Sequence, residues 1–443
     1  MPPPIGRFSE RVNMKLLIKN GRVIDPGSGI DDLLDVLVEN GIIKGIAPEI
    51  KSDEAALIDA SNKVVTPGLI DIHVHFREPG EEYKETIKTG TRAAAMGGFT
   101  SVACMPNTNP PIDDQEIVKS VISKVEREGI VNVFPVAAIT KGRKGEKLSD
   151  IAKLCDAGAV AISDDGNSVM NAAIMMEALK HAKTFNLPVL SHCEDSNLSG
   201  EGIINEGYVA NLLKLKGIPS VAEEIIVDRD IRLARAVGYS IHITHVSTRG
   251  SVEIIRNAKI RGQQVTCDTA PQYFTLTEDY VERDKAYTTK MKPPLRTKDD
   301  VAAIREGLRD GTIDVIATDH APHSFEEKDM EFEVAPVGIV GLETSLTLML
   351  DQLVHAGILP LLEGIAKMTI NPARVLKIGR GSLTRGSIAD ITIIDLDREM
   401  VVDANSFESK GRNTPFEGWK LKGWPIMTIV GGKVVMKDRK ICI

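Results

Sequence analysis

Apolar residues in the middle of the chain fall into short runs separated by longer stretches of mixed character. The runs are Gly68–Val74, Phe99–Met105, Val131–Ile139, Ala157–Ser163, Leu187–His192, Ser240–Val246, Gln263–Asp268 and Ile313–Thr318. Short, nearly continuous apolar runs mark strands covered on both faces. Between them, stretches such as Glu82–Met96, Asp114–Glu128, Met170–Phe185, Ala222–Val237 and Ser251–Ile260 read as helices. Strand followed by helix, repeated along the chain, predicts a parallel sheet. Eight such units favour a closed (β/α)8 TIM-type barrel over an open doubly wound sheet.

Both ends of the chain are patterned differently. From Met14 to about Thr66 the sequence predicts short strands and tight turns, with Asn20-Gly21 and Asn40-Gly41 as hairpin signals. Ile388 to Leu396 and Met427 to Met436 repeat that style around Gly431-Gly432. Two β-rich ends flanking an alternating middle predict a small composite β-sandwich domain built from both termini. The expected division is 14–66 and 379–443 for the sandwich and 67–378 for the barrel. Residues 1–13 are polar and proline-rich, lack the apolar core of a signal peptide, and are expected to be a disordered extension.

Bulk properties narrow the function. The chain has 443 residues, 42% hydrophobic and 26% charged, which suits a barrel of about 250 residues plus a smaller domain. A net charge of −8 and no clustered basic surface argue against a nucleic-acid partner. No run approaches the ~20 apolar residues of a membrane span. No GxGxxG follows the first strand and no P-loop is present, so nucleotide-binding folds lose their main support. Cys104, Cys155, Cys193, Cys267 and Cys442 are scattered and odd in number, which points to reduced thiols in a cytoplasm.

The chemistry lies at the strand ends, where barrel enzymes carry catalytic side chains. The first strand ends in Asp71-Ile72-His73-Val74-His75-Phe76-Arg77, the fourth in Ser163-Asp164-Asp165-Gly166, and the fifth in Ser191-His192-Cys193-Glu194. The sixth ends in Thr244-His245-Val246-Ser247 and the eighth in Thr318-Asp319-His320-Ala321-Pro322-His323. Alternation along a strand puts His73, His75 and Arg77 on one side. Imidazole and carboxylate are ligands for zinc and similar ions. Four of the nine histidines converge on one rim, which predicts a metal centre. At the fourth strand, chemistry alone leaves Asp164 and Asp165 both open. His242, His181 and His355 are expected to be structural or surface residues, and Cys193 to face away from its neighbour His192.

The same segments, together with Met105-Pro106-Asn107-Thr108, His192-Cys193-Glu194-Asp195, His245-Val246-Ser247-Thr248 and Lys292-Pro293-Pro294-Leu295-Arg296, resemble the long bacterial dihydroorotases of the amidohydrolase superfamily. The likeness runs from about Met14 to the C-terminus. It implies a barrel with a composite β-sandwich, two zinc ions per subunit, and reversible ring opening of dihydroorotate to N-carbamoyl-L-aspartate in pyrimidine biosynthesis. It implies His73, His75 and Asp319 at one metal, His192 and His245 at the other, and Asp165 between them, with Asp319 also the catalytic base. It implies Arg77, Asn107, Lys292, His323, Val337 and Gly338 around the substrate. It leaves open a homodimer and an association with aspartate transcarbamoylase.

Dihydropyrimidinase, hydantoinase and allantoinase are rival readings. Those relatives bridge their metals with a carboxylated lysine, and the fourth strand here ends in Ser163-Asp164-Asp165 with no lysine. A dihydroorotase-like scaffold for aspartate transcarbamoylase is a second rival; such proteins lack ligands that this chain keeps. The sequence departs from the family at Lys292, where an Asn is usual, and at Gln272-Tyr273, where a His-containing pair is usual.

Overall fold

The computed structural model describes residues 15–52, 54–282 and 286–443, so the expected extension at 1–13 lies outside the described residues. The middle of the chain forms two four-stranded parallel sheets. The first is Leu69–Val74, Phe99–Cys104, Asn132–Ala137 and Ala161–Ile162. The second is Leu190–Ser191, Ile241–Ile243, Val265–Thr269 and Val315–Ile316. Parallel bridges Ile162↔Val189 and Val74↔His320 join them at both edges. The result is a closed ring of parallel strands, which removes free sheet edges. Ile70, Ala103, Val136, Ala161, Leu190 and Val315 meet in one buried cluster. They come from strands on opposite sides of the ring, and such residues can meet only in its lumen.

Helices follow the strands and cover their outer faces. Their starts are set by side chains that accept the free N–H groups of the first turn. Thr86 forms a capping box with Thr89 and starts the first barrel helix at Ile87–Met96, later than the Glu82 expected from pattern. Asp114 caps Gln115–Glu128, Asn171 caps Ala172–Phe185 and Thr248 caps Arg249–Ile260. Thr297 caps Lys298–Arg309, again with a capping box. After the fifth strand the chain makes an excursion before the helix Val221–Val237. It contains a two-stranded parallel ribbon, Ile204–Asn205 with Gly217–Ile218, and the short helix Tyr208–Leu213.

The two ends of the chain share one nine-stranded sheet. Its seam is the antiparallel pairing of Val64–Pro67 with Ile391–Val401. Ile18, Val36, Val65, Ile391, Ile393 and Ile429 form a common core under it. Asn40-Gly41 and Gly431-Gly432 are tight hairpins, with Glu39 opposite Ile42 and Val430 opposite Lys433. Asn20-Gly21 is not. It lies inside the single strand Lys15–Asp25, at a bulge between Ile18 and Gly21. Asn20 does take a left-handed conformation, φ 62°, so the dipeptide does locally what its chemistry favours. The tertiary context turns that kink into a change of partner. Leu16–Lys19 pair with Ala56–Asp59, while Arg22 and Val23 pair with Val64 and Val65.

Candidate metal centre and substrate cavity

The first barrel strand carries His73 at its end and His75 just beyond. The other strand ends place Asp165, His192, His245 and Asp319 on the same rim. Asp165 sits at the middle. Its Oδ1 lies 3.4 Å from His73 Nε2, 3.3 Å from His192 Nδ1 and 3.4 Å from His245 Nε2. Its Oδ2 lies 3.6 Å from His75 Nε2. Asp319 Oδ1 lies 3.0 Å from His75 Nε2 and 3.5 Å from His73 Nε2. Two compact groups able to hold an ion follow: His73, His75 and Asp319, and His73, Asp165 and His245. His192 joins them through Asp165 and through a 2.8 Å approach of its Nδ1 to His245 Nε2.

The neighbour Asp164 is turned the other way. Its carboxylate accepts from Thr140 N at 3.0 Å and from the Thr140 hydroxyl. Asp164 thus ties down the loop after the third strand, and Asp165 faces the histidines.

The charge balance fits a cation. Burial works against His73 carrying a proton, yet Asp165 and Asp319 together hold its pKa up at about 10. Burial likewise opposes ionisation of Asp165, but His73 and the other imidazoles hold it well below the usual carboxylate range. Asp319 is lowered for the same reason, against burial and chiefly by His73. Two ionised, buried carboxylates demand positive charge, and a divalent cation meets that demand. Both His73 ring nitrogens, Asp165 Oδ1 and His192 Nε2 are buried without a hydrogen-bond partner. Unpaired buried polar atoms of this donor type are what a metal site offers.

The groups behind the ligands fix their orientation. His75 Nδ1 lies 2.7 Å from Asn107 Oδ1, an acceptor only, so Nδ1 carries the proton and Nε2 is free as a ligand atom. Asp268, at the end of the seventh strand, accepts from His245 N at 2.6 Å and pairs with His242 Nε2 at 2.9 Å. His242 is therefore structural, its other nitrogen 2.8 Å from the Thr266 hydroxyl. His181 and His355 are exposed. Cys193 is buried and directs its thiol at Ser191.

Residues 62–251 match a family model described as Dihydro-orotase-like. The dihydroorotase of Geobacter metallireducens is 56% identical over 96% of this chain and 100% of its own length. That of Pelotomaculum thermopropionicum is 56% identical over 97% of this chain and 100% of its own. The chain belongs to the dihydroorotase family. Among solved structures, the L-hydantoinase (dihydropyrimidinase) of Arthrobacter aurescens superposes with a TM-score of 0.87, covering 97% of both chains at 28% identity. The hydantoinase likeness thus carries the barrel-plus-sandwich architecture, and the much higher dihydroorotase identity separates the chain from that rival. It is a cyclic amide hydrolase.

Four of the residues expected around the substrate, Arg77, His323, Val337 and Gly338, lie together. Arg77 stands past the end of the first strand at φ 59°, where strand alternation no longer applies. Its Nε donates to Pro322 O at 3.2 Å and its Nη2 lies 3.3 Å from His323 Nε2. His323 Nε2 also lies 2.9 Å from Val337 O. Burial, and then the charge of Arg77, push its pKa down to about 2, so the ring is neutral. Gly338 follows at φ 128°, and a Cβ there would stand 2.6 Å from the Ala321 methyl. Only glycine lets this segment close onto His323.

A cavity of about 490 Å³ opens on the His192 side of the rim, lined among others by Arg143, Ser168, His192, Glu194 and Lys292, and not by Arg77, Asn107, His323, Val337 or Gly338. Lys292 Nζ pairs with Glu194 Oε1 at 2.9 Å, so it belongs to the cavity wall. Arg143 was not singled out by sequence. Its Nη1 donates to the backbone carbonyl of Asp165 at 2.5 Å. It lies in the loop after the third strand, in a basic stretch, Lys141-Gly142-Arg143-Lys144, that looks like ordinary solvated surface.

Proposed function

We propose that this dihydroorotase works through two zinc ions. His73, His75 and Asp319 would hold one, His192 and His245 the other, and Asp165 would be shared. The observation that carries the reading is the placement of Asp165, one carboxylate facing all four histidines within 3.6 Å. Zinc bound there supplies Lewis acidity, polarising the scissile ring carbonyl and lowering the pKa of a water toward ~7.

The chain's own groups do the rest. Arg77 offers a planar fork to the substrate carboxylate, and neutral His323 and the Val337–Gly338 backbone fix the ring beside it. Asp319, a lowered-pKa carboxylate, takes the proton of the attacking water and hands it to the leaving amide nitrogen. In the reverse direction the same proton returns and the ring closes. Asn107 holds His75, and Arg143 holds the Asp165 backbone. Lys292 presents a cation near the metal groups to an anionic substrate.

The test is turnover of purified, zinc-loaded enzyme with dihydroorotate beside dihydrouracil, hydantoin and allantoin, with about two metals per chain by elemental analysis. Preference for a neutral ring, or one metal or fewer at full activity, would overturn it. Asp319→Asn should fold and lose ~10²–10⁴ in kcat through loss of proton transfer; near-native turnover would remove Asp319 from that role. No helix among the described residues is long and apolar enough to cross a membrane. A cytoplasmic location is part of the proposal and is supported by the five scattered cysteines, all free thiols. A homodimer, and docking of aspartate transcarbamoylase, are the assemblies the family reading allows; sedimentation of the chain alone and mixed with that partner tests them.

A further inference from the structure

Lys328 closes the short helix Phe325–Lys328 and has a relative exposure of 0%. A lysine ammonium out of water is costly unless every proton finds an acceptor. Here Nζ donates to Lys290 O at 3.1 Å, Pro336 O at 3.0 Å and Gly338 O at 3.0 Å. Those three backbone carbonyls use all three of its donors. None of its acceptors is a carboxylate, so this is no ion pair. Burial, and then the charge of Lys290, push the Lys328 pKa down to about 7, so it grips backbone from two distant segments with three donors when protonated and two when neutral.

The gripped positions are the informative part. Pro336 and Gly338 flank Val337, whose carbonyl meets His323 Nε2 at 2.9 Å. Lys290 lies two residues before Lys292, and its carbonyl also accepts from Gly338 N at 3.0 Å. His323 stands on Lys328's own segment, five residues earlier. Gly338 O is shared with Asn413 Nδ2 at 3.0 Å, which also donates to Ala321 O at 3.1 Å. One ammonium thus ties together the three stretches that carry His323, Lys292 and Val337–Gly338.

We propose that Lys328 is a positioning residue for the substrate half of the site, setting the Val337–Gly338 backbone and His323 against the ring without touching substrate. The inference rests on the reading of Arg77, His323, Val337 and Gly338 as substrate-binding groups. A methionine at 328 keeps the length of the side chain but removes one donor from each of three carbonyls. Lys290 O keeps Gly338 N and Gly338 O keeps Asn413 Nδ2, while Pro336 O loses its described donor, so the segment they share loosens. The charge of Lys328 also adds, behind burial and Arg77, to what keeps His323 neutral.

The test compares zinc-loaded native enzyme with Lys328→Met and Lys328→Gln, reading metal content, steady-state kinetics with dihydroorotate, and amide hydrogen exchange. Metal content should match native. KM should rise by at least about tenfold in Lys328→Met with kcat changed far less, because these contacts act in ground and transition states alike. Lys328→Gln keeps two donors and should fall between. Exchange should quicken at 288–293 and 329–339 and stay native in the barrel strands. Native KM in both variants overturns the proposal, whatever exchange shows. So does loss of metal or of the thermal transition in both, which would make Lys328 a support of the whole barrel. Arg77→Gln, run alongside, separates the two failures: if it also keeps a native KM, the substrate reading itself falls.

Discussion

Asp164 and Asp165 show what a single residue's environment decides. Both are aspartates at the same strand end, and nothing in their types separates them. Asp164 is taken up by Thr140, and Asp165 by four imidazoles. If Asp165 does the work of a carboxylated lysine, Asp165→Ala should lose metal as well as rate, because two cations would lose their shared anion. Reconstitution of the native enzyme should be indifferent to bicarbonate; a bicarbonate requirement would sink that role. Lys292 is a second residue whose surroundings set its role. Its partner Glu194 is buried, with a pKa that burial would raise but that Lys292 holds down. Lys292→Asn should leave that carboxylate facing an anionic substrate. KM should rise and its salt dependence change, with kcat moving less. Steady-state kinetics at low and high ionic strength decide this, and equal KM values with equal salt slopes would place Lys292 outside the site.

At the scale of elements, the barrel strands were legible because each lies in a short apolar run, and five of those runs stop at a polar, chemically distinctive residue. The runs ending at His73, Asp165, His192, His245 and Asp319 all correspond to barrel strands. The excursion after the fifth strand was not legible: its two-residue strands stand between glycines and charged residues, whereas the equally short Ala161–Ile162, Leu190–Ser191 and Val315–Ile316 lie inside longer apolar runs. Lys328 gave no signal either, since Glu326-Glu327-Lys328-Asp329 has the composition of exposed surface. The Asn20-Gly21 bulge was misread as a hairpin because the same φ > 0 preference serves both structures. The bulge makes a prediction of its own. A Cβ at Gly21 would lie 2.6 Å from Val65 Cγ2 and 3.1 Å from the Ala60 methyl. Gly21→Ala should therefore destabilise by about 1–3 kcal/mol through overpacking, read as a lower denaturant midpoint. Turnover per folded molecule should stay native, since the bulge belongs to the terminal sheet and not the rim. A native midpoint would mean that the seam yields freely.

For the whole molecule, the question is how a barrel and a sheet assembled from both chain ends are held as one body. The seam strands Val64–Pro67 and Ile391–Val401 do part of it. A second tie runs through Glu343, which follows the eighth strand and is buried. Its Oε1 accepts from Glu408 N at 2.8 Å and Ser409 N at 3.3 Å, and its Oε2 lies 3.8 Å from Arg439 Nη2. Burial pushes its pKa up from 4.5 to about 8, and Arg439, at that distance, offsets only part of the rise. The sign follows from proton binding. Between pH 4.5 and about 8 the folded chain holds a proton on Glu343 that the unfolded chain has released. Stability must then fall as pH rises through that window, by the linkage between proton uptake and folding. Glu343→Gln keeps the shape and the acceptor oxygen but cannot ionise, so it should remove this contribution. Calorimetric scans of both proteins across the window should show Tm declining less steeply with pH in the variant, with the two curves diverging most at the alkaline end. Parallel curves would mean that Glu343 is ionised throughout, and that Arg439 holds the barrel to the terminal sheet as one half of a true ion pair.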